Sequence, residues 1–274
     1  SMGENPAACL AGVIGFEDCI GLVHLRGQLF DTVPAGGMLS ITLPAEKLRP
    51  LLGAELDLAA VNAPGLSVAT GPQAALDQLQ AELERREIDV QRIPINIAAH
   101  SRMLDPILDR FRSYLKSITL QAPQIPFTSN RSGAYISAAE ATDPEYWVGH
   151  LRNTVLFADC ITTLSEGTDR VFLEVGPGKA LASLTGQHAN VSPNQVISTL
   201  RHPQDAIADD AYFAAMLGRL WAVGVDFDWQ QFWGEARRNR VVLPSYAFQR
   251  QDYFIEPAQQ DQHRENSWLM RQEN

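Results

Sequence analysis

MLSITL (38–43), AEKLRPLLG (45–53), LDLAAVN (56–62), LSVATG (66–71), QAALDQLQAELERRE (73–87) and IDVQRIPIN (88–96) follow one another along the chain. The first, third, fourth and sixth are short apolar, β-branched runs and read as strands. The second reads as a short helix stopped by Gly53. The fifth places Leu76, Leu79 and Leu83 at helical spacing and reads as a full helix. The order strand, helix, strand, strand, helix, strand is the split-βαβ arrangement of ferredoxin-like units. Ala63-Pro64-Gly65 supplies the tight turn between its middle strands.

The flanks of this unit are helix-rich, so it reads as an insertion. Residues 5–13 and 16–30 have apolar side chains at helical density, with Pro6 tolerable only in a first turn. Beyond the unit, 101–118 and 144–167 read as helices, the latter in two pieces. PFTSN (126–130) reads as a short strand. VFLEVGPG (171–178) reads as a strand entering a glycine-proline turn, with a helix from 179. Strand, tight turn and helix in succession favour a partly parallel α/β sheet. ISTL (197–200) reads as a strand and 209–223 as a helix. The segment 241–257 is extended and aromatic-rich, and the residues from Ala258 form a polar tail.

Bulk properties exclude several classes. The net charge of −10 argues against a nucleic-acid backbone or an anionic membrane as partner. Cys9, Cys19 and Cys160 show no CxxC spacing, so neither a disulfide framework nor a zinc site is expected, and a cytoplasmic setting fits. No apolar run reaches the roughly 20 residues of a membrane helix, and no signal peptide is expected at the start.

Ser1-Met2-Gly3-Glu4 ahead of an Ala-rich helix has the form of the second half of a nucleophile elbow, G-x-S-x-G. The alternative, a scar left by tag removal, stays open for Ser1-Met2. Gly176-Pro177-Gly178 lacks the lysine and spacing of a phosphate loop and reads as a turn.

Several segments together resemble the acyltransferases that move acyl groups between CoA and carrier proteins in polyketide and fatty-acid synthesis. SMGENPAACLAGV (1–13) is similar to that family's GHSxGE segment from its serine onward. HLRG (24–27) matches its arginine segment, VNAPGLSVATG (61–71) its asparagine strand pair, and AAHS (98–101) its histidine segment. YWVGHLRNTVLFADCI (146–161) and FLEVGPG (172–178) match two further landmarks. LPSYAFQRQDYFIEP (243–257) resembles the linker that follows this domain in modular synthases, which points to a modular type I polyketide synthase.

The resemblance implies an α/β-hydrolase-like core with an inserted ferredoxin-like subdomain. The core would take 1–35 and 99–195, the small subdomain 36–98, and the post-acyltransferase linker 196–257, with 258–274 as the tail. Ser1 would carry the acyl group and His100 would be its general base. Arg26 would hold the free carboxylate of a malonyl-type unit. The backbone N–H of Met2 would serve the oxyanion and Asn62 would brace the site. The carbonyls of the Gly176–Gly178 turn would orient His100. His24, His150 and His188 are expected to be ordinary residues.

Ile97-Ala98-Ala99-His100 bears on the extender unit. Malonyl-specific members read His-Ala-Phe-His there and methylmalonyl-specific ones Tyr-Ala-Ser-His. Ala99 is small enough to leave room for an α-methyl group, while Ile97 matches neither version. The implied reaction is ping-pong transfer from a CoA thioester to the phosphopantetheine thiol of an acyl carrier protein, with no cofactor on this domain. The implied partners are that carrier protein, the ketosynthase domain of the same synthase and the front part of the domain, which carries the other elbow glycine. Two rival readings stay open: an N-terminal-nucleophile hydrolase using the α-amino group of Ser1, and a non-catalytic fragment with a folding or docking role.

Overall fold

The computed structural model describes residues 1–167, 170–236 and 239–251. Residues 252–257 of the expected linker segment and the tail 258–274 lie outside them. The chain divides into two units, Ser1–Phe227 and Asp228–Asn274.

The first unit opens with α1 (Glu4–Leu10) and α2 (Phe16–Phe30). The central stretch follows as β1 (Gly37–Ile41), α3 (Ala45–Leu48) with a 3-10 turn at Arg49–Leu51, β2 (Asp57–Ala63), β3 (Leu66–Gly71), α4 (Gln73–Arg85) and β4 (Val90–Ile93). Its strands form one antiparallel sheet in the order β2-β3-β1-β4, the split-βαβ topology expected. Pro94, which has no N–H to donate, follows the end of β4. One face of the sheet buries Leu39, Ile41, Leu58 and Ala69 under Leu76, Leu79 and Leu83 of α4. The other face packs Met38, Ala59, Ala60 and Val68 against Val155.

After the sheet come a 3-10 segment at Arg102–Ile107, α5 (Leu108–Ser117), α6 (Ala138–Ala141), α7 (Pro144–Arg152) and α8 (Phe157–Ser165). Pro106 removes one N–H, and the predicted single helix over 101–118 becomes a 3-10 start with an α-helical finish. The stretch 126–130, expected as a strand, pairs only through the Thr128–Tyr135 bridge. α1, α2, α5 and α7 enclose the largest core, which includes Ala8, Leu22, Leu29, Phe111, Leu115 and Trp147.

β5 (Phe172–Pro177), α9 (Ala180–Thr185), β6 (Val196–Leu200) and α10 (Asp209–Ala222) complete the unit. β5 and β6 pair in parallel, as the strand-turn-helix pattern suggested. Ile197 of β6 is buried against Met216 and Leu220 of α10. The second unit contains α11 (Trp229–Trp233), where Trp229 and Trp233 stack and Phe232 meets both edge-on. Among the described residues no helix is long and apolar enough to cross a membrane.

Candidate active site

Ser1 lies just ahead of α1, where Glu4 N–H donates to its carbonyl at 3.2 Å. The histidine segment reaches it from the far edge of the small sheet. Gly36 N–H donates to Asn96 O at 2.9 Å, and a Cβ on Gly36 would meet the Ala98 Cβ at 2.6 Å, so glycine permits this close approach. Ser101 Oγ donates to Ala98 O at 2.7 Å and accepts from Met103 N–H at 3.1 Å. Between these anchors His100 adopts φ 57°, a left-handed backbone that costs a non-glycine residue strain.

That strained backbone carries the imidazole to the serine. His100 Nε2 is 2.8 Å from Ser1 Oγ, and Nδ1 is 3.0 Å from the carbonyl oxygen of Asn153. A carbonyl only accepts, so Nδ1 holds the proton and Nε2 is left to accept from the Ser1 hydroxyl. Burial pushes His100 down to about 3, and His150 and Arg26 add to the shift. The ring is therefore neutral at ordinary pH, the state a general base requires.

The orienting carbonyl corrects one expectation. The Gly176–Gly178 turn is tied elsewhere: Gly176 N–H donates to Thr199 Oγ1 at 3.2 Å and Gly178 N–H to Arg201 O at 3.3 Å. Asn153 takes the role because it ends α7 in an extended conformation, with φ −93° and ψ 168°, and so presents a carbonyl that no helical N–H claims. β2 fixes that position. Val155 N–H donates to Ala59 O at 2.9 Å, Val61 N–H to Val155 O at 2.8 Å, and Thr154 Oγ1 to Leu58 O at 2.6 Å. The start of β2 also holds the histidine segment, because Arg102 donates to both oxygens of Asp57, at 2.7 and 2.8 Å.

Arg26 comes from the last turns of α2 and is 8% exposed. Nη2 donates to Ser1 Oγ at 3.4 Å, Nη1 lies 3.5 Å from Met2 Sδ, and the guanidinium sits 5.1 Å from the Phe30 ring centroid. Among the described residues no carboxylate pairs with it, and Nε has no hydrogen-bond partner. Burial alone lowers its pKa. A buried cation with no anion of its own leaves a charge uncompensated, and its planar fork suits a carboxylate.

The structure thus brings Ser1, Met2, Arg26 and His100 together. Ala99 packs on the small-sheet face of Met38, Val68 and Val155. Ile97 is half-buried three residues before the base. Asn62, half-buried on β2, makes no side-chain hydrogen bond among the described residues, so no bracing contact joins it to Ser1 or His100.

Sequence reasoning missed Glu4 and its partners. Glu4 is 4% exposed and accepts from Asn130 N–H at 2.8 Å and from the Tyr146 hydroxyl. His150 Nε2 stands 3.3 Å from its Oε2, off the line of a hydrogen bond. Burial pushes the Glu4 carboxyl up. His150, then Tyr146 and Asn130, more than reverse that, so it is held below its ordinary value and stays ionised. His150, expected to be ordinary, is 5% exposed and packs edge-on against Trp147. The available signal was a carboxylate in the first turn of an otherwise Ala-rich helix.

Comparison with known proteins gives a consistent result. The family described as "Acyl transferase domain" matches residues 1–223. A phenolphthiocerol/phthiocerol polyketide synthase protein of Mycobacterium tuberculosis is 33% identical over 258 residues, which cover 94% of this chain and 17% of that protein. The chain therefore spans about a sixth of that relative. The acyl transferase domain of SpnD, solved in complex with 2-(pent-4-yn-1-yl)malonyl, is similar with 40% identity and a TM-score of 0.76, over 81% of this chain and 54% of that one. The acyl transferase domain of ZmaA is similar with 37% identity and a TM-score of 0.79, over 88% of this chain and 57% of that one.

Proposed function

Because the chain belongs to the acyl transferase domain family, we propose that it moves a malonyl-type acyl group from a CoA thioester to the phosphopantetheine thiol of an acyl carrier protein, through an ester on Ser1. The observation that carries this reading is the Ser1–His100 hydrogen bond of 2.8 Å beside a buried Arg26 that lacks an anion. It is supported by the malonyl-derived group named in the SpnD structure.

The steps follow from the geometry. Ser1 Oγ gives its proton to His100 Nε2 and attacks the thioester carbonyl. Met2 N–H, which donates to no group among the described residues, receives the oxyanion. Collapse breaks the C–S bond, and His100 returns the proton to the CoA thiolate. The carrier thiol then gives its proton to His100 and attacks the Ser1 ester, and Oγ leaves with that proton. The balance closes without a redox or metal group. The Asn153 carbonyl accepts from Nδ1 throughout and prevents the ring from turning. The negative charge of a carboxylate on Arg26 offsets one of the cations that depress His100, so substrate binding strengthens the base.

We assign Ile97 and Ala99 to the side that meets the α-substituent. Residues 36–98 act as the inserted small subdomain, the core takes 1–35 and 99–195, and 196–257 form the linker after it. The carrier protein and a ketosynthase domain of the same synthase are the partners, and the cytoplasm is the setting. A base supplied by the fold, His100, weighs against a hydrolase that uses the Ser1 α-amino group.

The test is competition between malonyl-CoA and acetyl-CoA. Charge-assisted pairs are worth roughly 1.5–3 kcal/mol, which is about ten- to a hundredfold. Arg26→Ala should lower malonyl transfer by that factor relative to acetyl transfer. Equal losses for both substrates would remove Arg26 from carboxylate recognition.

A further inference from the structure

The nucleophile and its base are gripped by the same helix. Tyr146 and His150 lie four residues apart on α7 and both meet the Glu4 carboxylate. Glu4 stands three residues after Ser1, in the first turn of α1. The cap of α7, Asn153, holds His100 through Nδ1 at 3.0 Å. The contacts close a ring: Ser1 to Glu4 along the chain, Glu4 to α7, α7 to Asn153, Asn153 to His100, and His100 back to Ser1 Oγ.

Acyl transfer has no step for the Glu4 carboxylate, yet the fold keeps it buried and charged. Such a group needs partners from every side. They come from separate elements: Asn130 N–H at 2.8 Å from the end of the stretch 126–130, and Tyr146 and His150 from α7. Ser129 Oγ lies 2.6 Å from the Tyr146 oxygen, and Arg131 sits 5.2 Å over its ring, so the tyrosine is itself held in place.

We infer that Glu4, Tyr146 and His150 are positioning residues that lock the first turn of α1 onto α7 and thereby set the distance between Ser1 Oγ and His100 Nε2. This rests on the reading of Ser1 and His100 as nucleophile and base. A buried carboxylate whose partners come from separate elements holds those elements in one arrangement rather than a range. A displacement of about 1 Å between reacting atoms costs on the order of a hundredfold in rate.

The experiment compares wild type with Tyr146→Phe, Glu4→Gln and Glu4→Ala in three measurements. They are kcat and KM for acylation by malonyl-CoA, the rate of Ser1 labelling by an alkyl fluorophosphonate, and thermal unfolding. Tyr146→Phe removes one hydroxyl and Glu4→Gln keeps the acceptor for Asn130 N–H, so both should fold. The expected result is a tenfold or larger fall in kcat for Tyr146→Phe, with KM within twofold and a parallel fall in fluorophosphonate labelling. Glu4→Gln should lose less than Glu4→Ala. Variants that unfold at lower temperature but keep kcat and labelling within twofold of wild type below that temperature would overturn the inference, as would a change in KM alone. Should wild type fail to react with malonyl-CoA while the fluorophosphonate rate still follows Glu4 and Tyr146, the substrate assignment falls and the positioning role stands.

Discussion

His100 carries a consequence for stability. Its folded-state value of about 3 lies well below the roughly 6.5 of an unfolded-chain imidazole. Between those two values the unfolded chain binds a proton that the folded chain refuses. The contribution is therefore fully present above about pH 6.5 and shrinks as pH falls toward 3, with a slope of about 1.4 kcal/mol per pH unit. Urea unfolding at pH 6.5 and pH 5 should show wild type losing about 2 kcal/mol more than His100→Gln, which has no imidazole to protonate. Parallel losses in the two proteins would mean that His100 is not buried in its neutral form.

At the scale of elements, β2 and α7 build the site. The 97–101 segment runs between Gly36, which lets Ala98 approach, and the Asp57–Arg102 clamp at the start of β2. So held, it turns Ala99 onto the face of Met38, Val68 and Val155. A larger side chain there cannot sink inward without overpacking, so it displaces the space beside His100. Ala99→Phe should therefore lower methylmalonyl transfer more than malonyl transfer, by about 1–3 kcal/mol, the value of one methyl group in an apolar pocket. Competition between the two CoA thioesters measures it, and an unchanged ratio would move the control of the extender unit to Ile97 or beyond. These elements were also the most legible in the sequence. The strands of the small sheet and α4 follow from period-two and period-3.6 patterns bounded by glycine and proline. The stretch 126–130 misled because a β-rich run becomes a strand only where a neighbour pairs with it, and among the described residues it has one bridge.

Across the whole molecule, Ser1, Arg26 and His100, which the structure brings together, were legible, and the residues that hold them were not. Ser1, Arg26 and His100 sit in short segments that the family resemblance marked, and only then does each residue type have a chemical reason. Asn153 acts through its backbone carbonyl, which any residue at that cap offers, so no side chain marks it. Glu4, Tyr146 and His150 come from positions as far as 146 residues apart in sequence, since Glu4 meets His150, and only folding reveals the pairing. The compact first unit ends at Phe227 and the family match at 223, so the machinery described lies within that unit.

The proposed transfer requires one covalent bond, an ester on Ser1 Oγ. Incubation with malonyl-CoA, digestion and mass analysis of the peptide that contains Ser1 should show a malonyl adduct that alkaline hydroxylamine removes, as an ester on Oγ requires. His100→Ala should slow its formation by at least a hundredfold, in keeping with loss of a general base. A malonyl adduct on another residue, or one on Ser1 that resists hydroxylamine as an amide on the α-amino group would, contradicts it.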